Sequence, residues 1–261
     1  MHQSLWISKT GLAAQDTKMN VISNNLANVA TTGFKKERAV FHDLLYQIKR
    51  QPGAASSQDT NLPSGLQQGT GVRTVATQKM FQMGALQITD NALDVAINGR
   101  GFLQIAMPDG SIGYTRDGEL QIDETGQIVT SEGYVVQPAI TLPGSSATVT
   151  ISEDGVVTVV DGVTGQATQA GQFQLADFIN PTGLQAIGGN LFKETTASGA
   201  PTVGNAGVNG MGRLLQGTLE NSNVSVVEEL VDMISTQRAY EMNSKVISTV
   251  DQMLATVSQN L

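Results

Sequence analysis

Large apolar residues are spaced differently at the two ends of the chain and in its middle. Near the start, Leu5, Leu12, Met19 and Leu26 recur every seven residues, and Ile22 and Val29 follow two of them by three. That spacing predicts an amphipathic helix with a seam for a partner helix. The helix is expected to stop near Thr31-Thr32-Gly33, where a glycine can take the left-handed conformation that closes a helix. At the far end Val226, Met233, Tyr240, Ile247, Leu254 and Leu261 form an unbroken seven-residue ladder, widened by Leu230, Val250 and Val257. Ser225-Val226-Val227-Glu228 has the spacing of a capping box, in which hydroxyl and carboxylate satisfy opposite orphan amides. A helix over 226–261, free of Gly and Pro, would be ~54 Å long at ~1.5 Å rise per residue. Heptads sustained that far favour a coiled coil over a helix packed on its own domain.

The middle has another texture. Gln51-Pro52-Gly53-Ala54-Ala55-Ser56-Ser57-Gln58 and Pro63-Ser64-Gly65 carry turn and linker chemistry. Beyond them, Asp94–Asn98, Phe102–Ile105, Gln127–Thr130 and Val156–Val160 are β-rich runs. Pro108-Asp109-Gly110, Arg116-Asp117-Gly118, Thr125-Gly126, Glu153-Asp154-Gly155 and Asp161-Gly162 supply turns at hairpin-like intervals. No helical pattern separates the strands, so antiparallel pairing is expected. The fold class is α+β: long terminal helices forming a coiled-coil domain (1–32 and 222–261), an extended connecting region (33–71), and an inserted antiparallel all-β domain (72–221).

Composition narrows the chemistry. Aromatic residues make up only 5% of the 261, so the core is expected to rest on Val, Ile, Leu and Ala. The net charge of −8 argues against nucleic acid, whose affinity for proteins comes largely from Lys and Arg on phosphates. That charge is uneven: residues 1–50 hold seven Lys/Arg against three Asp/Glu, and the remainder hold eight against twenty. A basic arm facing an acidic remainder would favour pairing of the two ends. Cysteine is absent, which removes thiolate nucleophiles and thiolate metal sites. The histidines are His2 and His42, too few for a Ser-His-Asp triad or a multi-histidine metal centre. Gly99-Arg100-Gly101-Phe102 is followed by strand-like residues where a phosphate loop would open a helix. No catalytic residue, metal ligand, cofactor or small-molecule substrate is expected, and the N-terminus breaks too soon for a cleaved signal peptide.

Three stretches carry a resemblance. Ile22-Ser23-Asn24-Asn25-Leu26-Ala27-Asn28-Val29-Ala30-Thr31-Thr32-Gly33-Phe34-Lys35 resembles the N-terminal signature of bacterial flagellar rod and hook proteins. Asp94 to Phe102, continued by Tyr114-Thr115-Arg116-Asp117-Gly118, is similar to the opening of their β-domain. Ser222 to Leu230 and Gln237-Arg238-Ala239-Tyr240-Glu241 are similar to their C-terminal helix. Within the family, Tyr46 to Pro63, including Pro52, Gly53 and Leu62, looks like the extra segment of the distal-rod member.

The resemblance implies a structural subunit of the distal rod, polymerising head to tail into a rigid tube that carries torque from motor to hook, with the β-domain facing outward. It implies proximal-rod and hook-side axial proteins, surrounding ring or bushing proteins and the flagellar type III export apparatus as partners. It also implies a basal-body location across the periplasm and the outer-membrane ring. The residues themselves leave room for a sibling axial protein, and for a secreted β-rich binding module on a coiled-coil stalk.

Overall fold

The computed structural model describes residues 3–52, 63–144, 146–162 and 165–259. Two helices sit at the ends of the chain, α1 (Gln3–Ala27) and α2 (Val226–Gln259), with antiparallel strand pairing dominating between them. The chain divides into two compact units. The first joins residues 1–26, 37–78 and 225–261; the second joins 27–36 and 79–224.

In the helical unit, α1 ends sooner than the seven-residue pattern suggested. Asn28 and Thr31 divert the chain: the Thr31 amide donates to the Asn28 carbonyl at 3.2 Å and its hydroxyl to Asn28 Oδ1 at 3.2 Å. Short polar side chains of this kind offer the backbone an alternative to helical bonding. Val29 therefore lies beyond α1 in the second unit and is no helix-seam residue. Gly33 does adopt a left-handed φ of 69°, but six residues past the helix, so it closes a later turn. The stretch expected as a plain connection contains strands: Glu37–Asp43 pairs with Val72–Lys79, and Gln47–Arg50 pairs antiparallel with Leu66–Gln68.

The β-unit is built around strand Phe102–Ala106. One side of it carries Ile112–Thr115, then Leu191–Lys193, then Gln185–Gly188. The other side is shared end to end: Gln174–Asp177 pairs with Phe102 and Leu103, while Val135–Gln137 pairs with Gln104 to Ala106. A separate three-stranded meander comprises Ser146–Ile151, Val156–Asp161 and Ala167–Gln172. Its first turn is the expected one, with Gly155 at φ 84° donating to the Ser152 carbonyl at 2.9 Å.

The main core is aliphatic as the composition dictates, with Ile97, Leu103, Val136, Val157 and Val159 almost fully buried. The scarce aromatics are gathered rather than scattered. Phe102, Tyr114, Phe178 and Phe192 form a second cluster with Phe81 against it, ring centroids 4.8 to 6.1 Å apart in edge-on geometry.

Arg116-Asp117-Gly118 departs from expectation. Strands Ile112–Thr115 and Leu120–Ile122 are not neighbours, so this is a crossing and not a hairpin turn. The Val95 amide donates to the Gly118 carbonyl at 3.0 Å, and the Val95 carbonyl occupies the space a Cβ at residue 118 would need. The glycine is there for close approach of two backbones.

Asp117 is drawn in beside it, and its carboxyl is pushed up to about 6. Burial is the main cause, and the charges of Glu119, Asp94 and Glu132 add to it against one hydrogen bond from the Glu119 amide. Between the ordinary value of 3.8 and about 6 the folded chain holds a proton that the unfolded chain has released. Stability from this group therefore falls as pH rises through that window. Asp117→Asn is expected to flatten the dependence and raise stability at neutral pH, read as urea midpoints on either side of the window.

Candidate assembly surface

The helical unit brings α1 and α2 together in opposite directions. Asn25 Nδ2 donates to Glu229 Oε2 at 3.3 Å, and a Cβ built on Gly11 would lie 3.1 Å from Asn243 Nδ2. From Gly11 to Asn25 is two heptads along α1, matched by two heptads back along α2 from Asn243 to Glu229. Lys18 Nζ reaches Asp232 Oδ1 at 3.7 Å on the same side, a half-exposed pair contributing at most about 1 kcal/mol.

Asn25 fixes this geometry. Its carboxamide donates to the Glu37 carbonyl at 2.9 Å and accepts from the Glu37 amide at 2.8 Å, pairing with backbone as a neighbouring strand would. The remaining N–H goes to Glu229. One buried amide thus ties α1, the strand that begins at Glu37 and the first turn of α2. Ser225 supplies the carbonyl for the first bond of α2, from the Glu229 amide at 3.0 Å. Glu228 and Glu229 place negative charge where the helix dipole is positive.

The covered stripe of α2 is more polar than the apolar ladder suggested. Glu229, Met233, Thr236, Ala239, Asn243, Ile247 and Val250 are buried or half-buried, each three or four residues from the next. Met233, Ile247 and Val250 belong to the expected seam. Val226, Leu230, Tyr240 and Leu254 stay exposed. On α1, Ile22 is buried and Leu5, Leu12, Met19 and Leu26 are half-buried, while Ser8, Ala14, Val21 and Asn25 are the other buried positions. The side chain of Val257 and all of Leu261 lie outside the described residues.

A second apolar face runs along α2. Val227, Val231, Ile234, Met242, Val246 and Met253 are exposed, Val227 to 72% and Met242 to 64%. At ~100° per residue Val227, Val231 and Ile234 lie about half a turn from Glu229, Thr236 and Asn243, and Met242, Val246 and Met253 about a quarter to a third of a turn from them. Met242, Val246 and Met253 line a shallow groove there, bordered by Val250 at the edge of the covered stripe. A helix that leaves this much apolar surface uncovered is built to have further neighbours there.

The other signature residues divide between the units. Asn24 lies on the exposed side of α1. Asn28 forms the turn described above. Gly33 donates to the Glu220 carbonyl at 2.7 Å, and a Cβ there would meet Asp117 N at 2.8 Å. Phe34 is buried with Lys79 Nζ 4.9 Å from its ring centre. In the 46–63 segment Tyr46, Pro52 and Pro63 are exposed, and Gly53 and Leu62 lie outside the described residues. The strands at its base carry exposed Ile48 and Leu66, and Leu45 just before them is exposed as well.

Among the described residues no cluster of three or more His, Asp or Glu is placed to hold a metal, and no helix is long and apolar enough to cross a membrane. Glu229, Thr236, Asn243 and Gly11 escaped the sequence reading, because a search for apolar repeats passes over polar seam positions.

Comparison with known proteins agrees over the whole chain. Residues 5–35 match the flagella basal body rod protein model, 96–159 the flagellar hook protein FlgE/F/G D1 domain model, and 215–260 the flagellar basal body rod FlgEFG protein C-terminal model. The flagellar basal-body rod protein FlgG of Buchnera aphidicola subsp. Schizaphis graminum is 57% identical over 99% of this chain and 100% of its own. Its counterpart in Borreliella burgdorferi is 48% identical over 100% and 99%, and that of Bacillus subtilis 37% over 97% of each.

Removing the Asn25 carboxamide leaves the Glu37 backbone groups and Glu229 without it. Asn25→Ala is expected to destabilise the helical unit by about 2 kcal/mol or more, seen as a lower urea midpoint in helical circular dichroism.

Proposed function

The chain belongs to the FlgG family of flagellar basal-body rod proteins, and from that premise we propose that it polymerises into the rigid tubular shaft of the distal rod. The observation that supports this most directly is the second apolar face of α2, which the single chain leaves uncovered. A second copy of the chain is its natural occupant. The two faces of such a contact differ, so it is heterologous and propagates as a helical filament instead of closing into a pair. In the polymer α1 and α2 act as a coiled coil, with the polar positions Asn25, Thr236 and Asn243 fixing register at some cost in stability.

The shaft transmits torque mechanically and performs no catalysis. Its partners are itself, the proximal-rod and hook-side axial proteins at its ends, the ring or bushing proteins around it, and the type III apparatus that exports it. It spans the periplasm within the basal body.

Segment 46–63 stiffens the tube. An isolated two-stranded hairpin is marginal in water, and the pair Gln47–Arg50 and Leu66–Gln68 exposes Ile48 and Leu66, beside exposed Leu45 and Tyr46. Packing between neighbouring subunits would cover them.

Two experiments test these readings. Val231→Glu combined with Met242→Glu is expected to abolish polymer in sedimentation and negative-stain images while leaving the monomer's melting unchanged; polymer of undiminished length would refute the α2 contact. Deleting 46–63 is expected to leave a polymer that bends, and a straight rod would rule out the stiffening role.

A further inference from the structure

The chain passes between its two units four times, at 26/27, 36/37, 78/79 and 224/225. Inside the β-unit, the segments next to those passages are bound to one another. The Gly33 amide donates to the Glu220 carbonyl at 2.7 Å, and the Lys36 amide to Asn223 Oδ1 at 2.7 Å. Asn223 Nδ2 donates to the carbonyls of Met80 at 2.8 Å and Gln82 at 3.1 Å. The Met80 amide returns to the Lys36 carbonyl at 2.9 Å, and the Asn221 amide reaches the Ala85 carbonyl at 2.9 Å.

At the centre is Glu220, whose side chain is wholly inaccessible. Oε1 accepts from Lys35 Nζ at 2.5 Å and from the Gly84 amide at 2.8 Å; Oε2 accepts from Arg116 at 3.3 Å. Lys35 also donates to the Gln82 carbonyl at 2.8 Å, and Arg116 to the Gly99 carbonyl at 2.6 Å while lying over the Phe102 ring. Burial pulls the Lys35 ammonium below its ordinary range, and Glu220 opposes that pull.

Two cations and one carboxylate in a dry interior are a poor source of net stability, since desolvation offsets most of their attraction. They are a strong source of uniqueness. Lys35, Glu220 and Arg116 come from three separate segments, and any arrangement that omits Glu220 leaves two buried cations without their partner.

We infer that Glu220 is a positioning residue that makes the entry and exit segments of the β-unit, 33–36, 80–85 and 220–223, move as one body. Its mechanical meaning rests on the rod reading: a load carried along the chain between the units must pass through these segments, and joined segments share it instead of peeling one at a time.

The test is amide hydrogen exchange on the soluble full-length chain, which reports on the clamp whether or not the protein forms rods. Glu220→Gln is expected to speed exchange at Gly33, Lys36, Met80, Gly84 and Asn221 by on the order of 100-fold. Val157 and Leu175, in the sheets, should be unchanged. A uniform rise at all sites, or no rise at the entry segments, would overturn the inference. Asn223→Ala, which touches no charge, should open the same amides by about tenfold and serves if the first variant does not fold. The triple variant Lys35→Met, Arg116→Met, Glu220→Leu should recover global resistance to urea while those amides still exchange fast. Recovered protection there would show that packing alone suffices, and would also overturn the inference.

Discussion

An inserted domain imposes one demand before any other. The chain must leave one folded unit and return to it, and the segments that do so must be held at the margins of each unit's regular structure. Here the demand is met by carboxylate 220. Its two oxygens gather a lysine, an arginine and a backbone amide, and its own carbonyl takes the Gly33 amide. Around it Asn223 reads three backbone groups with one carboxamide. Asn25 does the same in the helical unit, reading both backbone groups of Glu37 and holding Glu229. The two sites share a logic in which planar polar groups with several partners each fix the segments at the margins of helices and strands.

The division of labour between polar and apolar contacts follows. The β-unit closes an aliphatic core and an aromatic one without outside help. The helical unit does not. Its seam between α1 and α2 mixes Met233, Ile247 and Val250 with Glu229, Thr236 and Asn243, and much of the apolar surface of α2 faces away from α1. Burial of a large aliphatic side chain is worth roughly 1.5–3 kcal/mol, so the exposed face of α2 is a substantial reserve of stability realised only in contact with neighbours.

Much of this was legible in the residues. The seven-residue ladders located both helices, and glycine after a carboxylate located the meander's first turn at Asp154-Gly155. Local rules failed where distant residues decide the outcome. Gly118 looked like a turn residue because nothing in its neighbourhood reveals that Val95 needs the space. Val29 continued the heptad on paper, but Asn28 and Thr31 end the helix before it. Lys35, Arg116 and Glu220 were invisible as a set, because a charge in sequence looks solvated until the fold removes its water. The apolar ladder also overstated the α1–α2 seam, since it recorded hydrophobic positions and not the face on which each one lies.

The pairing of Asn25 with Glu229 joins residues 204 positions apart, and Lys35 with Glu220 joins residues 185 apart. Contacts of such long sequence separation form late, because the entropy of closing the intervening loop comes before any reward. A chain synthesised amino end first cannot make either one until most of it has been made. The order in which its ends appear therefore sets a clock: the helical unit and the clamp at its border wait for the last forty residues, and premature closure is prevented by arithmetic of the chain itself.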